Sequence, residues 1–546
     1  MAMNYPIVEK IQDNLAGLEE LERKLRDKSR QKDREVLLEF PTVYIHNWKN
    51  TGNYEVYIGE TNHIIRRTKQ HFEKGKAEEE WPSQLSRSNA SLYIIGHEHF
   101  NKSLTLDIEN RLMLYLMSAD HVRKIHNLRG NPQRKYYPDQ EMDNIFRQIW
   151  KTLRKDNGEL FPKESAVRDS ALFKASPLHK LTIEQERIKE KIIERVFYSL
   201  GISEAHQLIF VEGEAGTGKT VLNSSTFYDI YSYAEENGKK ISCYMMVNHD
   251  EQIRVYEQIA LKLGLKGENE EIVLKPTSFI NHHSKEEPVD IAFIDEGHLL
   301  LTQGKQSYTG KNQLQDIIDR AKVTVVMFDA NQVLTTEQYW EYQDLEHYRK
   351  LAERQENYFV LEKQLRIKAS ESMIEWINRF TKNREICPIP RDKGGYEIRI
   401  FRDPYEMEKA IKEKAKDENH QLSRMIATYD WEYHSKKASK PHLLKYWEVK
   451  IGDWHKPWNY ELEKELDGKA KKRNKTLAWA EQPQTIDEIG STFTIQGFDL
   501  NYAGVILGPS VKYREGKIIF DPAESCNKKA GQNRTLSDGS RQKFGE

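Results

Sequence analysis

Cysteine is scarce in this chain: three among 546 residues, at Cys243, Cys387 and Cys526. Their wide separation fits neither a disulfide framework nor the close pairs of a zinc site, so both are excluded as organising chemistry. Excess charge is lacking too. Lys and Arg total 84 against 85 Asp and Glu, a formal charge of -1, so affinity for a polyanion must come from local patches. No run approaches the roughly 18 apolar residues of a membrane span. The opening MAMNYPIVEKIQDNLAG has no apolar signal core, and the expectation is a cytoplasmic protein with no membrane partner. Internal repeats at solenoid spacing are absent, which excludes an array architecture. Charge of both signs is plentiful, 31% of residues, as long solvated helices require. One core does not serve this length, and about two to four domains are expected.

Residues 1–39 read as a charged N-terminal helix, with LAGLEELERKL carrying leucines at helical spacing. From 40 to 135, short β-type runs (TVYIHNW, YEVYIG, ASLYIIG) mix with helical ones, as in a small α+β domain. Residues 136–174, which include DNGELFPKESAVRDS, read as a connector. Over 175–355 the strand-like runs QLIFVEG, ISCYMMVN, VDIAFIDEG and KVTVVMFDA alternate with helical stretches, which predicts a parallel sheet covered by helices. Residues 356–546 open with YFVLEKQLR and return to strands at RMIATYD and YAGVILG. The fold class is α/β: a small α+β domain, then two parallel-sheet lobes.

GEAGTGKT, Gly213 to Thr220, fits the phosphate-loop pattern G-x-x-x-x-G-K-[ST], after a strand and opening a helix. Gly213, Gly216 and Gly218 let backbone N–H groups wrap phosphates at a helix N-terminus. Lys219 supplies positive charge to the outer phosphates, and the Thr220 hydroxyl suits Mg²⁺. AFIDEGH ends an apolar strand with Asp295, suited to hold Mg²⁺ through water, and Glu296, suited to polarise an attacking water. FDANQ ends the next strand with Asp329 and Gln332, suited to sensing a γ-phosphate, and LTIEQ offers Gln185 for an adenine edge. Arg366 in EKQLRI is placed to reach the γ-phosphate across a cleft between lobes, and GSTFTIQGFDLNYAGVILG carries Thr494, Gln496, Gly497 and Asp499 before a buried-type strand.

This set resembles superfamily-1 helicases, more specifically the Schlafen-like group of helicase-related ATPases, over roughly residues 175 to 510. SRMIATYDWEY, HKPWNYE and IGSTFTIQG carry the group's pattern, while Gly297 replaces the alanine usual in the acidic motif. The resemblance implies two RecA-like lobes, ATP with Mg²⁺ (or Mn²⁺), and nucleic acid as partner, DNA ahead of RNA. Such motors carry a further arginine late in the second lobe, often within Thr-Arg-Gly. The tail CNKKAGQNRTLSDGSRQKFGE has no apolar strand and no such sequence, and Arg534 and Arg541 read as loop-like or solvated. The second lobe is therefore expected to be incomplete, with ATP binding retained and hydrolysis weakened.

In the N-terminal region, Tyr44 lies in TVYIHNW and Tyr57-Ile58-Gly59 ends the next strand. Arg67 and His71 follow four residues apart on one helix face, Glu109 lies in the helical run LDIENRLMLYL, and Asn127 lies in KIHNLRG. This combination resembles the GIY-YIG nucleases across about residues 41 to 130, although Thr42-Val43 stand where Gly-Ile belongs. Phosphodiester hydrolysis needs charge stabilisation on the non-bridging oxygens, an activated water and help for the leaving oxygen. Arg67 forks onto phosphate, Glu109 suits a divalent cation as metal ligand, and Tyr44 or Tyr57 with His71 suits proton transfer. The resemblance favours Tyr44 as base; the residues alone leave both tyrosines open.

Among other features, the basic run GKAKKRNK (Lys469, Lys471, Lys472, Arg473, Lys475) reads as a solvated loop, the tryptophans from Trp431 to Trp479 as packing, and His97 and His99 as strand residues. The combined expectation is a metal-dependent endonuclease fused to an ATP-driven helicase or translocase, an arrangement that resembles prokaryotic defence against foreign DNA. Two alternatives remain: an ATP-gated nucleic-acid-binding switch with an inactive nuclease-like domain, and an RNA-targeting nuclease.

Overall fold

The computed structural model describes residues 5–74, 89–126, 136, 139–202, 206–265, 271–304, 307–332, 336–365, 367, 369–417, 420–434, 445–474, 477–495, 499–528, 533–536 and 538–543. The chain divides into two compact units. One comprises residues 1–182 with 228–238 and 255–272; the other comprises 183–227, 239–254 and 273–546.

The first unit is built on a five-stranded sheet of order β1-β4-β2-β3-β5. Its elements in sequence are β1 (Ile7–Gln12), the helices α1 (Leu15–Lys24) and α2 (Gln31–Leu38), β2 (Thr42–Asn50), β3 (Asn53–Thr61), α3 (Ile64–Lys74), β4 (Ser91–Gly96), α4 (Lys102–Met117) and β5 (Val122–Ile125). β2 and β3 form a tight hairpin whose central residues, Thr51 and Gly52, have φ of 49° and 89°. Positive φ at both positions matches the turn to the right-handed twist of the strands. The register that follows sets Tyr44 opposite Gly59 and His46 opposite Tyr57.

Residues 1–39 are not one helix, because IVEKIQ pairs antiparallel with β4 along its whole length, and two separate helices follow. Nor are residues 136–174 a bare connector. They contain α5 (Met142–Asp156), α6 (Glu164–Asp169) and α7 (Ala171–Ala175). The apolar face of α5 buries Ile145, Phe146, Ile149, Trp150 and Leu153. Its rings meet Tyr115 of α4 at centroid distances of 4.7 Å for Phe146 and 5.0 Å for Trp150, and the Trp150 indole donates to the Pro162 carbonyl at 2.9 Å.

The second unit holds a six-stranded, all-parallel sheet of order β11-β6-β10-β9-β7-β8. Its strands are β6 (Gln207–Gly213), β7 (Cys243–Met246), β8 (Val273–Leu274), β9 (Val289–Ile294), β10 (Ala321–Phe328) and β11 (Tyr358–Leu361). Central strands covered on both faces read as continuous apolar runs, which is why VDIAFI and AKVTVVMF were visible in the sequence. Helix α8 (Ile183–Gly201) packs on β10 and β11 of this sheet, and α9 (Lys219–Glu236) and α10 (Asp250–Leu263) begin within this unit.

A smaller parallel sheet follows, β15-β12-β16, from β12 (Ser423–Ala427), β15 (Ile489–Gly490) and β16 (Tyr502–Ile506). Between them lies the hairpin of β13 (Glu448–Ile451) and β14 (Trp454–Pro457). Trp447, Trp454 and Trp458 are buried with Val449 and Ile489 in one cluster, and the basic run at 468–474 is helical. His97 and His99 follow β4 in a turn instead of lying on a strand. Two hairpins end the described chain: β17 (Val511–Arg514) with β18 (Lys517–Phe520), and β19 (Asn533–Thr535) with β20 (Arg541–Lys543). No helix among the described residues is long and apolar enough to cross a membrane.

Because α5 contributes a fully enclosed indole, Trp150→Ala should destabilise the first unit by about 3–5 kcal/mol. A lowered urea midpoint followed by tryptophan fluorescence measures this; a midpoint equal to wild type contradicts the packing.

Candidate functional sites

In the phosphate loop, β6 ends at Gly213 and α9 starts at Lys219, with Gly216 and Gly218 at φ of 87° and 82° between them. These are conformations that only glycine adopts readily. The Lys219 side chain is buried. Its ammonium donates to the carbonyls of Gly213 at 2.7 Å and Glu214 at 2.9 Å, and lies 3.5 Å from Asp329 Oδ2. A lysine folded across its own loop is positioned for an anion at the helix N-terminus. Gln332 Nε2 donates to the same oxygen, Asp329 Oδ2, at 2.8 Å.

Gln185 was expected at an adenine edge. Its side-chain amide donates to the Thr217 carbonyl at 3.1 Å and approaches that of Gly218 at 3.5 Å. Gln364 also donates to the loop, to the Ala215 carbonyl at 2.9 Å, and the Leu365 N–H to that of Gly216 at 2.8 Å.

β9 delivers Asp295 and Glu296 to the same end of the sheet. Asp295 is buried, and Glu296 has a left-handed backbone, φ 49°. His298 lies 3.5 Å from the Glu296 carboxylate, and burial pulls its pKa down to about 4 although Asp329 and Asp295 oppose this. Burial thus favours its neutral form. A Cβ on Gly297 would lie 2.4 Å from Val326 Cγ2 and 3.0 Å from the Met327 carbonyl, so this chain fills with Val326 the space that an alanine would need.

The donor set suits ATP with Mg²⁺: a buried ammonium, a glycine cradle, the half-buried Thr220 at the start of α9, and Asp295 at the strand end. Thr494 is buried and caps its own turn, its hydroxyl donating to the Ser491 carbonyl at 2.9 Å. Arg366, Gln496 and Gly497 lie outside the described residues.

In the first unit, the structure brings four of the expected residues together. Arg67 Nε donates to the Tyr44 oxygen at 3.3 Å, and that oxygen lies 3.0 Å from His71 Nε2. The Tyr57 ring stacks on Tyr44 at 6.2 Å and meets His71 edge-on at 5.2 Å. Burial pushes the Tyr44 phenol far up, and the Tyr57 ring neighbour adds to this, while Arg67 acts in the opposite direction. Burial thus favours the protonated phenol, and the Tyr44 oxygen and His71 Nε2 share one hydrogen bond. Gly59 is required by contact: a Cβ there would lie 2.5 Å from Tyr44 Cζ and Oη. Glu109 is buried on α4, a helix that packs on β2 and β3. Asn127 lies outside the described residues.

Sequence reasoning missed His46, buried and 2.7 Å from Asp13 Oδ2, whose ring is 5.4 Å from those of Tyr44 and His71. Its place two residues after Tyr44 on the strand put it on the same face, a usable signal; Asp13 offered none. Arg534 was read as solvated and is not. Its guanidinium is buried and donates to Thr302 Oγ1 at 2.8 Å and to the Tyr339 carbonyl at 2.7 Å. A short polar strand, β19 (NRT), carries it there.

Residues 206–546 match the family described as Schlafen group 3, DNA/RNA helicase domain. An uncharacterized protein of Saccharomyces cerevisiae, YPL245W, is 30% identical over 380 residues, covering 64% of this chain and 78% of the yeast protein. Among solved structures, a Pif1 helicase from work on unwinding of forked duplex DNA is 16% identical, with a TM-score of 0.21 over 46% of this chain and 55% of that one. The Pif1 helicase of Candida albicans is 15% identical, with a TM-score of 0.24 over 44% of this chain and 55% of that one. The chain thus spans about half the length of these helicases.

Gly297→Ala should destabilise the second unit by about 1–3 kcal/mol through overpacking against Val326. Thermal unfolding with and without nucleotide measures it, and an unchanged midpoint contradicts the close approach.

Proposed function

Because the chain belongs to the Schlafen group 3 family of DNA/RNA helicase domains, we propose that it is an ATP-driven nucleic-acid translocase whose N-terminal unit is a GIY-YIG-type nuclease. A helicase domain of this family implies ATP and Mg²⁺ and a nucleic-acid partner. The observation that carries the motor reading is Lys219, buried over its loop with Asp329, Asp295 and Glu296 at neighbouring strand ends.

In this reading Lys219 and the loop N–H groups bind the β- and γ-phosphates, and Thr220 and Asp295 hold the cation. Mg²⁺ when bound neutralises the charge that builds on the transferred phosphoryl group. Glu296 orients and polarises the attacking water, Gln332 and Asp329 sense the γ-phosphate, and Arg366 completes the charge stabilisation from the second lobe. Gln496 and Gly497 take part in coupling nucleotide to nucleic acid. The two lobes correspond to residues 175–355 and 356–546.

The nuclease part rests on Tyr44, whose oxygen meets both Arg67 and His71. Arg67 binds the scissile phosphate. The buried Tyr44 phenol starts protonated, so it acts by passing its proton to His71 Nε2 as it takes one from water, with Tyr57 stacked alongside. Glu109 supplies one carboxylate; a single carboxylate with water and phosphate oxygens meets what Mg²⁺ or Mn²⁺ requires, and the cation acts there as a Lewis acid. Cleavage of DNA is favoured over RNA, within a cytoplasmic defence against foreign DNA.

The test incubates the purified chain with plasmid, single-stranded DNA and matched RNA, with Mg²⁺ and with or without ATP. Lys219→Ala should reduce ATP turnover by about a hundredfold or more, and turnover at the wild-type rate refutes the motor reading. Arg67→Ala and Glu109→Ala should each lower cleavage by on the order of a hundredfold while leaving ATP turnover intact. Cleavage at the wild-type rate in both variants, or none in wild type on any substrate, refutes the nuclease reading and leaves a nucleic-acid-binding ATPase.

A further inference from the structure

A contact between the tryptophan-rich region and α10 is not used by any of the motifs above. Trp458, Asn459 and Tyr460 follow β14, and Asn459 and Tyr460 have φ of 51° and 52°. Two successive non-glycine residues in the left-handed region are unusual, and such backbone persists only where its surroundings fix it. Here they do. The Trp458 N–H donates to the Trp447 carbonyl at 2.8 Å and the Asn459 N–H to that of Ile489 at 3.0 Å. The buried Glu488 accepts the Tyr460 N–H at 2.5 Å, the Leu462 N–H at 2.9 Å and the Trp479 indole at 2.8 Å.

This turn aims the Tyr460 hydroxyl at Glu251, donating to Oε1 at 2.5 Å. Glu251 lies in the first turn of α10, and burial pushes its carboxyl up, with the Tyr460 bond opposing. The next residue, Gln252, is 8% exposed, and its Nε2 is 3.5 Å from Glu296 Oε1. Glu296 is itself left-handed. A strained turn beyond the first sheet is thus joined to the strained carboxylate at the end of β9 by two hydrogen-bonded side chains from adjacent positions of one helix.

We propose that Gln252 and Tyr460 are positioning residues for ATP hydrolysis: Tyr460 fixes the first turn of α10 through Glu251, and Gln252 orients the Glu296 carboxylate toward the attacking water. This rests on the ATPase reading above. The Gln252 contact is long, as catalytic hydrogen bonds often are until substrate draws the site together. Because Tyr460 belongs to the region that follows the first lobe, the arrangement makes hydrolysis depend on how that region is seated.

The experiment measures ATP turnover by the full chain with saturating oligodeoxythymidylate, comparing wild type, Tyr460→Phe, Gln252→Ala, their double variant and Lys219→Ala. Tyr460→Phe retains the ring and removes only the hydroxyl. Each single variant should lower kcat by about tenfold, the worth of one hydrogen bond to a charged group, with KM for ATP within about twofold of wild type. The double variant should fall no further than the worse single one, because both act on one carboxylate. Glu251→Gln, which keeps an acceptor for the hydroxyl, should recover most of what Glu251→Ala loses. With Lys219→Ala inactive, an unchanged kcat in both single variants, or a raised KM at constant kcat, overturns the proposal. Wild-type turnover in Lys219→Ala instead overturns the ATPase reading on which it rests.

Discussion

Parallel pairing of β6, β9 and β10 is the constraint on which the nucleotide site depends. In a parallel sheet the strands run in the same direction, so their C-terminal ends gather on one edge. Gly213, Asp295 and Asp329 each follow or end such a strand, and the register brings those ends to within two residues of one another. Lys219 then closes the group from the helix, held by two carbonyls of its own loop. Shift one strand by a residue and the ammonium, the carboxylates and the glycine cradle no longer meet. The buried apolar residues of the same strands, among them Phe210, Phe293 and Val325, resist such a shift.

The N-terminal cluster obeys a different constraint, the close approach of one side chain to one backbone. The Tyr44 ring lies against Gly59 across the hairpin. No other residue at 59 leaves room for it, and without that seat the hydroxyl loses Arg67 and His71 together. The His46 ring, bonded to the buried Asp13, meets those of Tyr44 and His71 at 5.4 Å. The strand β1, which precedes Asp13, is thereby part of the site's support and not an appendage. The price of the enclosure is a phenol whose proton is held more tightly than in water.

What was legible in the sequence follows from how local each signal is. QLIFVEGEAGTGKT announces strand, loop and helix within fourteen positions, because glycine placement and apolar runs act over short range. β1 was missed because IVEKIQ shares the charged composition of the helices that follow, and its alternation has meaning only beside β4. The helical period of MDNIFRQIWKTLRKD was present, but the polar, proline-bearing DNGELFPKESAVRDS after it made the whole stretch read as a linker. Arg534 was misread because its acceptors, Thr302 and the Tyr339 carbonyl, lie far upstream. The bond from Tyr460 to Glu251 spans 209 positions, and no periodicity reports a partner at that distance.

Backbone strain separates scaffold from function in a way that composition does not. Eight non-glycine residues among those described have positive φ. Thr51 and Glu515 each precede a glycine in a hairpin turn, and His206 and Glu356 lie just ahead of β6 and β11, where the chain must reverse to enter a strand. Turn geometry accounts for these four, and Arg384 lies three residues past a helix that ends at Thr381. Glu296, Asn459 and Tyr460 are different, since no hairpin demands their conformation and a glycine would relieve it. Each is instead pinned by tertiary contacts, and two of the three carry side chains on the path between α10 and the end of β9. Local rules are broken where side-chain direction matters more than local stability, and here that place is the carboxylate of Glu296 and the helix turn that faces it.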